Sequence, residues 1–334
     1  MSLRTVTGII IAALLGILPA GAAFSLFRSR HRSEVNLQLF QCRVLTMGTV
    51  ATFSLYAANE AEFQRAVTAG SRKFAAVMKL ANLYDKESEL SRLNAAAAHP
   101  DGFTCSPEMW ELLQRAEKAH REYAGFDITV KPLMELWGFY RKQNHLPPQE
   151  AIVQAKKKVG FEKLSLDRKT KTVRFTVPGM ALDLGGIAKG YAADLAAAAV
   201  IQEGVTRGVI DLGGNLKLLP KPPPGKPFYR VGIKDPAHPE RLLKKVLKLP
   251  GDRAVATSGD YERFTILDGV KCGHIIDPQS GRPEARPAVT VTTVSALDAD
   301  IFSTCAYLGG KTCAEKLGKR YPDTGFYFAG TEDN

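Results

Sequence analysis

Three segments of this chain put chemically capable side chains at spacings that bring them together. Within 295–304, Asp300, Ser303 and Thr304 stand at i, i+3 and i+4, so on a helix they share one face. One carboxylate beside two hydroxyls is a set of hard oxygen donors suited to Mg²⁺. The same residues, with Ser295 and Asp298 spaced as a capping box, also suit a capped helix whose polar side meets water. Asp183-Leu184-Gly185-Gly186-Ile187-Ala188-Lys189-Gly190 reads as a strand ending at Asp183, a glycine turn and a helix start. Glycines let backbone approach a ligand, a helix N-terminus favours an anion, and Lys189 adds a cation. An ordinary strand–turn–helix connection has the same outline, and the P-loop spacing is absent. Asp211-Leu212-Gly213-Gly214 repeats the tetrapeptide after another short apolar run, which fits an internal duplication. His274 precedes the turn signal Asp277-Pro278. Beside a phosphate and a metal it is able to take a proton from an attacking hydroxyl; elsewhere it is a structural histidine. Met47-Gly48-Thr49 and Gly125-Phe126-Asp127-Ile128-Thr129-Val130 have no chemical reading by themselves.

These segments need elements to hold them. Alternation over 49–56 predicts a half-buried strand. Residues 59–83 read as an amphipathic helix with Phe63, Val67, Phe74, Val77 and Met78 on one side. Ser106-Pro107-Glu108 opens a second helix, with Ser as N-cap and Pro in the first turn, running towards Tyr123 before Gly125. Leu146-Pro147-Pro148-Gln149 leads into a third, up to Gly160. Short strands follow near 163–166 and 172–177, and the alanine-rich stretch 187–200 reads as a fourth helix. Further strands are expected near 208–211, 228–233, 243–249, 253–257, 262–268 and 289–294. The proline-rich stretch 220–227 is an exposed loop or hairpin tip, and a last helix covers 297–308. No linker marks a domain boundary, which points to one α+β unit with a long strand set.

Composition narrows the classes. The chain has 334 residues, 45% apolar and 24% charged, which excludes a disordered chain, a collagen-like fibre and a small disulfide scaffold. Lys plus Arg is 45 against 34 for Asp plus Glu, a net charge of +11 that favours anionic partners. Two Trp and 8% aromatics give little base-stacking surface, and the basic residues are spread out, so no nucleic-acid role is expected. The five Cys (42, 105, 272, 305, 313) form no CxxC pair or Cys/His ladder, which argues against zinc. Residues 1–32 stand apart. Arg4 precedes an apolar run from Val6 to Phe27, Ala20-Gly21-Ala22 resembles a cleavage site, and Arg28, Arg30 and Arg32 follow. This is the outline of an export segment, either a cleaved signal peptide or a membrane anchor. No Cys directly follows the run, so a lipid anchor is not expected.

In this order, along most of 44–325, the segments resemble the ApbE family, the FAD:protein FMN transferases. The match includes Met47-Gly48-Thr49, Ser88-Glu89-Leu90-Ser91-Arg92-Leu93-Asn94, Phe126-Asp127-Ile128-Thr129-Val130, both Asp-Leu-Gly-Gly segments, Ala256-Thr257-Ser258-Gly259-Asp260-Tyr261-Glu262-Arg263, His274-Ile275-Ile276-Asp277-Pro278 and Asp300 with Ser303 and Thr304. The resemblance implies a T-fold-related α+β catalytic unit over 33–334, with mixed or antiparallel sheets and packed helices. It implies Mg²⁺-dependent transfer of FMN from FAD to a Thr or Ser hydroxyl of a target protein, with AMP leaving. The family's metal positions match Gly186, Asp300, Ser303 and Thr304, although some members have a second Asp where Ser303 stands. Its FAD-binding positions match Met47, Tyr84, Gly125, Phe126, Asp127 and Ile276, with Tyr84 and Phe126 placed to pack on a ring; Lys189 would balance phosphate charge, and Asp183 would bind either the adenosine side or the water around the metal. His274 matches the position beside the reactive phosphate and is the candidate base. The implied partners are FAD, acceptor flavoprotein subunits of membrane redox complexes, and the membrane through the N-terminal segment. The implied location is the periplasmic side of the bacterial inner membrane. Two other readings stand beside it: an FAD pyrophosphatase, which needs the same metal and FAD site with water in place of the protein hydroxyl, and a periplasmic flavin-binding carrier, which would leave the Asp300 site without a role.

Overall fold

A computed structural model of the chain describes residues 36–329 apart from 97, 98, 124, 142, 236, 237, 239, 240, 261 and 262. The expected export segment, 1–32, lies outside the described residues. None of the described helices is long and apolar enough to cross a membrane. In chain order the elements are β1 Gln38–Thr46, β2 Thr49–Ala57, α1 Glu60–Ala81, α2 Glu89–Ala95, β3 Phe103–Thr104, α3 Pro107–Glu122, α4 Lys131–Leu136, α5 Gln149–Lys156, β4 Leu164–Asp167, β5 Thr172–Phe175, α6 Ala188–Gln202, β6 Gly208–Leu212, β7 Asn215–Leu218, β8 Tyr229–Lys234, β9 Leu242–Leu249, β10 Ala254–Ser258, β11 Phe264–Leu267, β12 Val270–Gly273, β13 Ile276–Asp277, β14 Arg282–Pro283, β15 Val289–Thr293, α7 Ala296–Arg320 and β16 Gly325–Phe328. The fold is α+β. Its main sheet has seven strands in the order β1-β2-β6-β7-β10-β15-β16, every ladder antiparallel.

The alternation in β2 does what it predicts. Ala51, Phe53, Leu55 and Ala57 are buried, and the intervening residues are more open. α1 lies across that buried face. Asn59 caps it by accepting the Glu62 amide at 2.9 Å, and Phe63, Val67, Phe74 and Val77 turn inward. α6 packs between α1 and α7, which explains its alanines: a helix buried on several sides must be thin and apolar all round. At the α1 crossing, a Cβ on Gly70 would meet the Phe53 ring at 2.7 Å. On the sheet's other face the β8–β9 hairpin packs Tyr229, Leu247 and Leu249 against Leu218 and Val255. A second core joins Leu133, Trp137, Ile152, Leu267, Cys272 and Ile276. All five cysteines are free and buried.

Four expectations change. Residues 181–183 form no strand: the Asp183 amide donates to the Ile128 carbonyl at 2.7 Å, and beside it a side chain pairs with Leu182. Asn94 accepts the Leu182 amide at 2.7 Å and donates to its carbonyl at 2.9 Å. The third helix stops at Lys156 and the chain reaches Gly160 through turns. The last helix continues past 308 to Arg320, with a break at Gly310, whose φ of 64° is open to glycine. The two Asp-Leu-Gly-Gly copies are no structural duplication, since the first leads into α6 and the second is the turn of the β6–β7 hairpin.

Candidate functional site

A cleft of about 510 Å³ opens where the two cores meet, within the usual size range of ligand pockets. Beside α7, six parts of the chain line it: the β1–β2 turn, the 125–130 segment with Met134, the turn into α6, the β6–β7 turn at Gly213, the end of β10, and the segments flanking the β11–β12 hairpin. α7 adds Asp300 and Thr304. Of the residues singled out from sequence, Met47, Gly125, Phe126, Asp127, Asp183, Gly186, Lys189, His274, Ile276, Asp300 and Thr304 all border it.

Local conformation explains several of these placements. Met47 and Gly48 have φ of 51° and 70° between paired Thr46 and Thr49, the primed turn that suits a tight hairpin. That turn projects Met47 to the cleft. α6 has no side-chain cap of its own. One of its first-turn donors, the Gly190 amide, is taken by Asp300 Oδ2 at 2.9 Å. The start of α6 is thereby tied to α7. Asp183 folds the turn between: it accepts the Gly185 amide through one oxygen and the Tyr140 hydroxyl through the other. Burial and the neighbouring Asp183 raise the Tyr140 phenol above its usual range, so Tyr140 stays a donor.

His274 has a defined tautomer. Its Nδ1 lies 3.1 Å from the Arg263 carbonyl, which only accepts, so Nδ1 carries the hydrogen and Nε2 keeps its lone pair. Burial, with Arg263 and Lys189 nearby, lowers its pKa to about 4. The ring is therefore neutral at pH 7. Lys189 makes no ion pair with any described residue, and Arg263 donates to the Phe139 carbonyl at 3.2 Å. Two cations thus border the cleft beside a neutral imidazole.

Three expected site residues behave differently from the rest. Asp127 borders the cleft, but both carboxylate oxygens are spent: Oδ1 accepts from the Thr129 amide and hydroxyl, and Oδ2 accepts the Phe161 amide at 3.1 Å. Burial pushes this carboxyl up, against the hydrogen bonds from Thr129 and Phe161 and the nearby His120. Its work here is to shape the 125–130 segment. Ser303 does not line the cleft and is only 1% exposed. It donates to the Asp300 carbonyl at 2.9 Å and accepts from Ser258 at 2.8 Å. Tyr84 is 71% exposed and outside the lining; its ring stands edge-on to Tyr140 at 6.3 Å. Arg263 and Ser258 border the cleft without having been given a role from sequence. Both lie in segment 256–263, which carries part of the family resemblance, and that is the signal that points to them; neither residue type nor spacing gives them a role by itself.

The donors around Asp300 suit one kind of cation. Asp300 is 6% exposed, and its second oxygen accepts no hydrogen bond from the described residues. Thr304 donates its hydroxyl hydrogen to the Asp300 carbonyl at 3.2 Å, which leaves its lone pairs available. A Cβ at Gly186 would stand 3.4 Å from the Phe126 ring and 3.6 Å from Thr304 Oγ1, so the glycine keeps the gap between them open. Among the described residues no group of three or more His, Cys, Asp or Glu is placed to hold a metal. One carboxylate with hydroxyl and backbone oxygens fits Mg²⁺, which commonly takes one or two carboxylates and completes its shell with water and substrate phosphates.

Comparison with known proteins gives the class first. The model of the ApbE family matches residues 47–328, and the chain belongs to that family. Its relatives give the particular activity by name. The FAD:protein FMN transferase of Vibrio cholerae serotype O1 is 33% identical over 226 residues, 66% of this chain and 66% of that protein. The FAD:protein FMN transferase of Salmonella typhimurium is 32% identical over 312 residues, 90% of this chain and 87% of its own. The solved structure of the flavin transferase ApbE from Vibrio cholerae superposes with a TM-score of 0.74 at 27% identity, covering 88% of this chain and 98% of that one.

Proposed function

We propose that this protein transfers FMN from FAD to a Ser or Thr hydroxyl of another protein, with AMP as the leaving group and Mg²⁺ required. The observation that carries the reading is the cleft's composition. Two cations, a one-carboxylate oxygen set and an imidazole held neutral with its Nε2 lone pair available stand around one space. A diphosphate needs charge neutralisation, and a hydroxyl nucleophile needs a proton acceptor.

In this reading Lys189 and Arg263 bind the pyrophosphate, while Phe126 and Ile276 pack on the flavin or adenine. The hydroxyl oxygen attacks the FMN phosphorus, and its proton passes to His274 Nε2. The bond from that phosphorus to the bridging oxygen breaks, and AMP leaves with the bridging oxygen. Asp300, Thr304 and the Gly186 carbonyl would hold Mg²⁺, which supplies charge neutralisation to the diphosphate when bound. Ser303 acts from behind by orienting Ser258, and Asp183 holds the turn that presents Gly186. The acceptors are flavin subunits of membrane redox complexes, met on the periplasmic side of the inner membrane, with residues 1–32 as signal or anchor and 33–334 as the catalytic unit. Incubation with FAD, Mg²⁺ and such a subunit tests this. Flavin bound covalently to protein with matching AMP supports transfer; free FMN with AMP identifies a hydrolase, and neither identifies a carrier.

A further inference from the structure

Behind the cleft, outside its lining, a charged cluster joins the two helices that carry the Gly186 turn and Asp300. Asp194 stands in the second turn of α6. Its Oδ1 accepts the Ala296 amide at 2.9 Å, and its Oδ2 accepts the Leu297 amide at 3.0 Å and the Ser295 hydroxyl at 2.8 Å. These amides are first-turn donors of α7, which lack partners within the helix. α7 already has a cap in Ser295, whose Oγ accepts the Asp298 amide at 3.2 Å. Lys217 is 7% exposed, with its ammonium 3.8 Å from Asp194, 2.8 Å from Asp252 and 2.7 Å from the Val294 carbonyl. From α3, Arg115 donates to Asp298 at 2.6 and 2.9 Å.

One cap is enough to start a helix. Here groups from three other elements hold the same turn, and that turn leads directly into Asp300. The two helices also touch backbone to backbone: a Cβ at Gly190 would lie 2.2 Å from the Ala296 carbonyl oxygen. A shift of α7 along α6 therefore moves Asp300 and Thr304 relative to Gly186 and Lys189.

We propose that Asp194 is a positioning residue for the divalent-cation site. By fastening the first turn of α7 to α6, it fixes the gap between the Asp300 ligand face and the Gly186 turn, and so sets cation affinity. This rests on the Mg²⁺ part of the function proposed above. Asp194→Asn keeps the size but leaves one acceptor oxygen and turns an NH₂ towards amide or hydroxyl donors. The readout is Mn²⁺ binding by EPR with ADP supplying the diphosphate, beside the Mg²⁺ dependence of AMP release. Mn²⁺ affinity should fall about 10–100-fold, the usual cost of losing a group that orients metal ligands. The Mg²⁺ concentration for half-maximal rate should rise by the same factor, with kcat at saturating Mg²⁺ within a few-fold of wild type. Asp194→Glu, which keeps both oxygens, should recover part of the affinity. A folded Asp194→Asn with wild-type Mn²⁺ affinity, or with its loss confined to kcat, overturns the proposal. If Asp194→Asn does not fold, Ser295→Ala removes one of the three donors instead; a several-fold loss of Mn²⁺ affinity supports the proposal and an unchanged affinity overturns it. Wild-type protein that binds no Mn²⁺ overturns this proposal and the metal reading together. Wild-type protein that binds Mn²⁺ but transfers no flavin overturns the transfer reading only.

Discussion

Asp183-Leu184-Gly185-Gly186 and Asp211-Leu212-Gly213-Gly214 are the same four residues put to different uses. In the second copy Gly213 and Gly214 have φ of 58° and 89°, and the Asp211 carboxylate accepts the Gly214 amide at 2.8 Å. The result is a hairpin turn between β6 and β7. In the first copy neither glycine has positive φ; Asp183 accepts the Gly185 amide, and the chain goes straight into α6. Both turns border the cleft. Only the first faces Asp300 and Thr304 on α7. The tetrapeptide thus encodes an Asp-braced turn, and what stands across from the turn decides its chemistry.

If that is right, the largest effect comes from removing the group opposite the first copy. Asp300→Ala should abolish Mg²⁺-dependent transfer while circular dichroism stays native, a loss on the order of 10³-fold or more for one preorganised electrostatic group. Wild-type turnover at ordinary Mg²⁺ would remove Asp300 from the site and make the two copies equivalent. His274→Ala should slow AMP formation about 10²–10⁴-fold with acceptor present and leave FAD affinity, read by fluorescence, close to wild type. A large loss of FAD affinity would make His274 a binding residue instead. The glycines then separate the copies directly. Gly186→Ala places its methyl at ordinary contact distance from Phe126 and Thr304, so stability should hold while transfer falls by about 10²-fold through misplacement of the reacting groups. Gly213→Ala should do the reverse. Its φ is positive and its Cβ would lie 2.5 Å from Thr49 Oγ1, so denaturant unfolding should show a loss of about 1–3 kcal/mol with transfer nearly unchanged in the folded protein. Equal behaviour of the two substitutions would erase the distinction.

The smallest effect expected is one of pH. A histidine held at about 4 is a competent base throughout the neutral range and loses that role only as pH falls through its own pKa. The acid limb of kcat/KM for FAD should therefore sit near pH 4 and not near the ordinary 6.5. A limb close to 6.5 would mean that the burial and the two cations do not act on the ring as described.

The sequence was most legible where local chemistry decides. Asn59 and Ser106 cap helices at the positions their types suggest, and β2 follows its alternation. It was least legible where a distant side chain decides. Nothing near 181–183 announces that Asn94 will pair with Leu182. β1 was missed because its exposed outer face mixes Leu39, Gln41, Arg43 and Leu45, and its partner β2 supplies the order. α7 was cut short because two glycines look like an end, yet the helix resumes beyond Gly310. Within the site, the spacing of Asp300 and Thr304 was readable as one helix face. That Ser303 would turn inward to Ser258, and that Arg263 would join Lys189 at the cleft, depends on how α7, β10 and the β11–β12 hairpin pack, which no local pattern contains.

Movement of FMN from FAD onto another protein leaves a covalent mark on the acceptor. The most direct measurement is the intact mass of a candidate flavin subunit co-expressed with the wild-type chain and, separately, with Asp300→Ala. The subunit should gain the mass of one FMN less one water, on a Ser or Thr located by peptide mapping, only with the wild-type chain. An unmodified subunit beside free FMN and AMP, or the same mass gain with Asp300→Ala, would contradict it.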